Sequence, residues 1–250
     1  MSYIVNLTGN RTSKDGSIMG KVHDFKEEMA LHEQSELNVY RKHPQLTACD
    51  RRVTVYNRHT QQKVQAIMFG SNSYLGATIF PEAIQKAIEV TKEFGIGSGG
   101  VPLLTGTSIY QEELEKLIAI LFSSGYTANL GVISGLIRPN NLIIHDKLDH
   151  ASLLDGTVMS GAKMIRYKHG DINDLERLLK DNSPQYPNGI LVVTDGVFSM
   201  DGDIAKLPQI LEITRKYDAI LLVDEAHATG VIGDKGAGTL SHYGITDRKI

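Results

Sequence analysis

NLIIHDKLDHASLLDGTVMSGAKMIRY, residues 141–167, decides the fold. Its two ends, NLIIHD and KMIRY, are short, apolar and lack a clean period of two. They read as strands buried on both faces, the habit of a parallel sheet. HASLLDGTVMSG between them reads as a helix. The rhythm continues downstream. DINDLERLLKD reads as a helix with Asp171 as its N-cap, and GILVVTD as a strand. LPQILEITRKY is a helix with Pro208 in its first turn, and AILLVDEAH a strand. Alternating strand and helix predicts a layered α/β domain with right-handed crossovers. Ligands in such sheets sit at the carboxyl ends of strands. That rule points to His145 and Asp146, to Asp195 onward, and to Asp224–His227.

Upstream, SSGYTANLGVISGLI reads as a loop entering a helix, and QEELEKLIAIL as helical. VTVYN and VQAIMF predict a hairpin around Arg58–Gln62. SNSYLGATIF reads as a loop, residues 21–43 as a helix, and residues 1–20 as a polar, loose segment. The expected domains are an N-terminal helical and hairpin segment, 1–65, and a large domain, 66–250.

PEAIQKAIEVTKEFG predicts a helix with Ile84, Ala87, Ile88 and Thr91 on one face and Gly95 as its stop. The stretch after it, GIGSGG at 95–100, spells the dinucleotide-binding fingerprint. That fingerprint needs a strand before it and a helix after it. Here it follows a helix and leads into VPLLTG, so it reads as a glycine-rich loop.

Composition excludes several classes. The 250 residues are 41% apolar and 22% charged, with a net charge of −3. No global basic field favours nucleic acid or acidic membranes. Cys49 is the single cysteine, which excludes an intramolecular disulfide and cysteine-rich zinc sites. No HExxH occurs, and His145, Asp146 and His150 lack zinc spacing, so no metal is expected. No G-x-S-x-G supports a serine hydrolase. The chain has no run of about 18 apolar residues and no apolar leader, so a cytoplasmic protein without a transmembrane segment is expected.

Four places could carry chemistry. Asp224 ends an apolar strand and needs a donor partner there; it could equally cap the following turn, with His227 as its bond partner. SSGY, Ser123–Tyr126, could cradle an anion at a helix N-terminus or be an ordinary loop. His150 lies between a strand and a helix start. GVFSMDGD, 196–203, leaves a strand with Ser199 and Asp201 available, or is a Gly/Asp turn.

Seven motifs resemble, in order, the α-oxoamine synthases: FGSNSYLG, TGTS, FSSGYTANLG, DHASLLDG, YKHGD, DGVFSMDGD and VDEAHATGVIGDKGAG. The resemblance covers roughly residues 35–245. It implies a pyridoxal-phosphate (PLP) enzyme of fold type I, with a mostly parallel sheet flanked by helices. It implies that Asp224 pairs with the pyridinium nitrogen and that His227 contacts the phenolic oxygen. It further implies that His150 stacks on the ring, that Ser124, Gly125 and Tyr126 bind the phosphate, and that Ser199 lies near a cofactor oxygen. Asn72 and Tyr74 match the loop near the substrate. The implied reaction is a decarboxylating condensation of a small amino acid with an acyl-CoA or acyl-carrier protein, in a homodimer. The other implied reading is a non-catalytic PLP-fold subunit.

The chain departs from the family pattern in three places. The Schiff-base lysine lies about thirty residues after the D-E-A-H histidine in the family; Lys249, in DRKI, matches the loop before it. With the C-terminal small domain also absent, little activity is expected from these 250 residues alone. Leu117–Phe122 must both end a helix and start a strand, because the link is short. Pro102 and Gln111 stand where many relatives have Arg and His.

Overall fold

A computed structural model describes residues 20, 27, 43–58, 60–101, 104–118, 120–187 and 189–246. The readings for 1–19, for Pro102 and for Lys249 lie outside these residues, as does the helix over 21–43 apart from Glu27 and His43. The chain divides into two compact units, Met1–Lys86 and Ala87–Ile250. Among the described residues, no helix is long and apolar enough to cross a membrane.

The first unit holds the predicted hairpin. β1, Arg52–Asn57, pairs antiparallel with β2, Gln62–Ile67, in a register that sets Asn57 opposite Gln62. Val53 is its buried anchor, and Gln65 Nε2 donates to Thr54 Oγ1 across the pair (2.8 Å). The SNSYLG stretch follows and enters a 3-10 turn at Ala77–Ile79.

Helix α1, Pro81–Phe94, crosses from one unit's residues into the other's. The face expected from Ile84 and Ile88 is not buried; both side chains remain nearly half exposed. Gly95 ends the helix with φ of 79°, and its N–H donates to Thr91 O (2.9 Å). That left-handed stop favours glycine. Among the described residues no helix follows until α2, Ile109–Ile118, and the loop follows a helix rather than a strand, so the dinucleotide context is not met. The glycine-rich loop closes instead on itself. Gly106 N–H donates to Val101 O (3.0 Å), and a Cβ on Gly106 would stand 2.0 Å from Gly100 O. A side chain cannot fit there.

One expectation fails between α2 and the next helix. Among the described residues from Ile120 to Ser124, no strand forms. The short link runs from the end of α2 into SSGY, which turns directly into α3, Gly125–Leu136.

The second unit's core is a parallel sheet in the order β4-β3-β5-β6. Its strands are β3, Leu142–Asp146, β4, Lys163–Tyr167, β5, Ile190–Asp195, and β6, Ile220–Asp224. β6 ends at Asp224, so Glu225–His227 belong to the turn rather than to the strand. Every residue of β3 and β5 is buried, as the unbroken apolar runs require for central strands. Alternation along them divides two apolar layers. Leu142, Ile144 and Val192 face α5, Ile172–Asn182, and α6, Leu207–Lys216, through Leu175, Leu179, Leu207 and Ile210. Ile143, Leu191 and Val193 face α3 and α4, Ala151–Ser160, through Ile133 and Leu153. Each such side chain contributes about 1.5–3 kcal/mol on full burial.

Helix ends follow their sequence signals. Asp171 accepts Asp174 N–H (3.0 Å), Pro208 sits in the first turn of α6, and Gly161 stops α4 with φ of 71°.

Candidate active site

Three strands deliver carboxylates to one edge of the sheet. Asp195 and Asp224 are register partners at the ends of β5 and β6, and Asp146 closes β3. Like charges at the ends of adjacent buried strands need donors or protons. The second unit supplies both.

Asp224 is half buried. Its Oδ1 accepts Ala226 N–H (2.9 Å), so the turn-capping reading holds. Its Oδ2 accepts Asn129 Nδ2–H (2.7 Å) from α3. The same amide donates to Ser152 Oγ on α4 (2.9 Å). Ser152 Oγ lies 2.7 Å from His150 Nδ1, and Ser152 N–H also donates to that nitrogen (3.2 Å). Nδ1 therefore accepts, Ser152 supplies its hydroxyl proton, and His150 carries its hydrogen on Nε2. Asp224, Asn129, Ser152 and His150 form one hydrogen-bonded line across two helices and the sheet.

The SSGY stretch is a helix start. Ser124 Oγ accepts Thr127 N–H (3.2 Å), and Thr127 Oγ1 accepts Ser124 N–H (3.1 Å), a reciprocal cap. Gly125 and Tyr126 occupy the first two helical positions, whose amides have no carbonyl in their own turn. A Cβ added to Gly125 would meet nothing within 4 Å. The Tyr126 hydroxyl donates to the Asp155 carboxylate on α4, and that bond holds its phenol above the usual range.

The loops beyond β5 and β6 are folded tightly. Gly196 N–H donates to Asp224 O (2.8 Å) and Ala205 N–H to Gly196 O (2.9 Å). His169 spans Asp146 Oδ1 (2.8 Å) and Asp203 Oδ2 (2.9 Å), tying down the segment that carries Ser199. Ser199 itself is exposed. After β6, Glu225 accepts Thr239 N–H (2.9 Å to Oε2) at the start of α7, Thr239–His242. That bond folds back the segment in which His227 lies, partly buried.

The predicted residues thus divide. Ser124, Gly125, Tyr126, His150, Ser199, Asp224 and His227 all belong to the second unit, on loops and helix starts that follow its strands or face them. Asn72 and Tyr74 belong to the first unit, where Tyr74 is nearly half exposed. The sequence reading gave no role to Asn129 or Ser152, although both sit inside quoted motifs. Both are short polar residues on helices that carry other polar residues too, so residue type alone did not single them out.

Asp195 is buried, and burial together with the Asp224 charge lifts its carboxyl to about 7. Burial also pulls His169 down, but its bonds to Asp146 and Asp203 win and raise it. A carboxyl or imidazole raised above its unfolded value keeps a proton that the unfolded chain has lost. Stability therefore falls as pH climbs through that interval. Buried His145, lowered to about 4, works the other way, and because an unfolded imidazole is still half protonated near pH 6.5, it offsets part of this fall up to about pH 7.5. The expected result is a Tm about 2–4 °C lower at pH 8 than at pH 6, from on the order of 1 kcal/mol. A flat or rising Tm in buffered thermal melts would contradict it.

Comparison with known proteins agrees with this fold. The chain is 43% identical to the 8-amino-7-oxononanoate synthase of Thermoanaerobacter pseudethanolicus over 192 residues, 74% of the chain and 48% of that protein. It is 46% identical to the serine palmitoyltransferase of Sphingobacterium spiritivorum, over 74% of the chain and 48% of that protein. The solved serine palmitoyltransferase of S. paucimobilis with bound PLP-myriocin aldimine superposes with a TM-score of 0.84 at 29% identity, covering 94% of the chain and 59% of that protein. The chain spans about half the length of the curated relatives it matches. The profile of the family described as "Aminotransferase class I and II" matches residues 64–248. With the parallel sheet, the carboxylates at its edge and this match over most of its length, the chain belongs to the aminotransferase class I and II family.

Proposed function

We propose that this chain holds PLP for a condensation between a small amino acid (glycine, alanine or serine) and an acyl-CoA or acyl-carrier protein, with release of CO2. The observation that carries the reading is the Asp224–Asn129–Ser152–His150 line, in a chain whose relatives bear the two enzyme names given above. The residues present suit the cofactor. The open space before Gly125 and the first-turn amides of α3 suit a phosphate. Asp224 has lone pairs left for a pyridinium after its two N–H bonds. His150, Ser199 and His227 complete the proposed cofactor set, and Asn72 and Tyr74 the proposed substrate loop.

When bound, PLP supplies an electron sink for a carbanion at the α-carbon of the amino acid. The chain's own residues set the conditions. Asp224 keeps a proton on the facing ring nitrogen, and Asn129 and Ala226 N–H keep Asp224 in place. His150 presents a neutral ring whose Nδ1 is engaged, leaving its face and Nε2–H for the site. His227 and Ser199 are the donors proposed for the cofactor's ring oxygen. The first-turn amides of α3 would orient the phosphate. The working assembly proposed is a cytoplasmic homodimer.

The test is release of CoA from a series of acyl-CoAs with PLP and glycine, alanine or serine, alongside PLP affinity by equilibrium dialysis. Saturable PLP binding to the chain, weakened on changing Asp224, is the expected result. No measurable PLP binding would overturn the reading.

A further inference from the structure

His145 and Asp149 have no part in the chemistry above, yet both side chains are fully buried. His145 Nδ1 lies 2.9 Å from Asp149 Oδ2, and Nε2 lies 2.8 Å from Thr157 Oγ1 on α4. The Thr157 hydroxyl is 3.0 Å from Leu153 O and donates to it. A carbonyl only accepts, and a hydroxyl has one proton. Nε2 must therefore carry a hydrogen and donate to Thr157. One proton remains for the gap between Nδ1 and Asp149.

Asp149 also latches two strand ends together. Its Oδ2 accepts Asp146 N–H (3.1 Å) and its Oδ1 accepts Asp195 N–H (3.2 Å). Asp195 Oδ2 in turn accepts His150 N–H (3.0 Å). The turn that ends in His150 is thereby bonded in both directions to the end of β5. Around the pair stand Asp146 on β3, Asp195 on β5 and Arg166 on β4, the register partner of His145. Burial lowers His145 to about 4 and, with Asp195 and Asp146, raises Asp149. Both directions put the shared proton on the carboxyl. A neutral pair adds no further buried charge beside Asp195 and Asp224.

We propose that His145 and Asp149, sharing one proton, form a positioning unit that latches the Asp146–His150 turn to β5 and so sets His150 and Asp195 for the cofactor. The cofactor part rests on the PLP reading; the shared proton and the latch do not.

The experiment uses the chain with its imidazoles 15N-labelled. His145 is expected in a single form, hydrogen on Nε2 and none fixed on Nδ1, unchanged from about pH 5.5 to 8. A His145 that titrates near its ordinary value, or stays doubly protonated, overturns the shared proton. Asp149→Asn places an amide N–H against either Asp146 N–H or Asp195 N–H. It should speed hydrogen exchange at the Asp195 and His150 amides and raise the PLP Kd roughly tenfold, the effect of a buried unsatisfied group. Thr157→Val should weaken PLP several-fold and Thr157→Ser should restore it, which keeps the test open if Asp149→Asn does not fold. Unchanged exchange and unchanged Kd in the folded variants overturn the positioning role. If the parent chain binds no PLP, the cofactor reading fails, and the labelled-histidine and exchange results still decide the latch.

Discussion

Asp224→Asn is expected to raise the PLP Kd by roughly 10- to 100-fold, the worth of a charge-assisted hydrogen bond at tenfold per 1.4 kcal/mol. Two effects combine. The charge that would face the pyridinium is lost. The new amide also cannot satisfy its surroundings, because Asn129 Nδ2–H and Ala226 N–H each donate to one of the two carboxylate oxygens (2.7 and 2.9 Å). Whichever way the amide turns, one N–H meets another. Asn129→Ala separates these effects. It removes one donor and keeps the charge, so its Kd should rise less than that of Asp224→Asn. Equal PLP affinity in wild type and Asp224→Asn, measured by dialysis, would contradict the assignment of Asp224.

Gly156→Val is expected to cost about 1–3 kcal/mol through overpacking, a fall in Tm of roughly 4–10 °C for a chain of this size. Gly156 is buried in α4 where α3 crosses it. A Cβ there would lie 3.1 Å from Asn129 O and 3.2 Å from Ile133 Cβ. Alanine is already tight, and the second branch of valine needs α3 to move. Movement of α3 displaces Asn129, so PLP affinity should fall with stability. Gly135→Ala is the matched control. Nothing lies within 4 Å of its Cβ position, and a helical Gly→Ala change there should stabilise by about 0.5–1 kcal/mol. Thermal melts that rank the two variants alike would remove the argument from close helix packing.

Much of the fold was legible because its signals are local. Apolar strands without alternation announced a sheet covered on both faces. The central β3 and β5 are buried throughout, but in the edge strands Lys163, Met164 and Arg166 of β4 and Ile220 of β6 stay exposed, because an edge strand has a neighbour on one side only. Asp171, Pro208, Gly95 and Gly161 are helix-end residues whose effect needs only their neighbours in sequence. The strand start expected between Leu117 and Phe122 does not form among the described residues from Ile120 on. One local reading failed for want of tertiary context. The face carrying Ile84 and Ile88 has the spacing of a buried stripe and remains nearly half exposed. Hydrophobic spacing says which side chains share a face, not whether anything covers it.

The sequence by itself determined the alternation of strand and helix, the caps, and the motif series that marks the family. It also placed Asp224, His150 and the SSGY turn at ends of elements, where α/β sheets bind ligands. Only the tertiary structure decided who bonds to whom. Asn129 reaches Asp224 across 95 positions of sequence, and Asp149 reaches the amide of Asp195 across 46. Those pairings depend on strand register and on how closely α3 and α4 approach, which no local pattern encodes. Hydrogen counts are decided the same way. His145 and Asp149 share one proton because Thr157, a turn and a half into the next helix, has already given its own to Leu153.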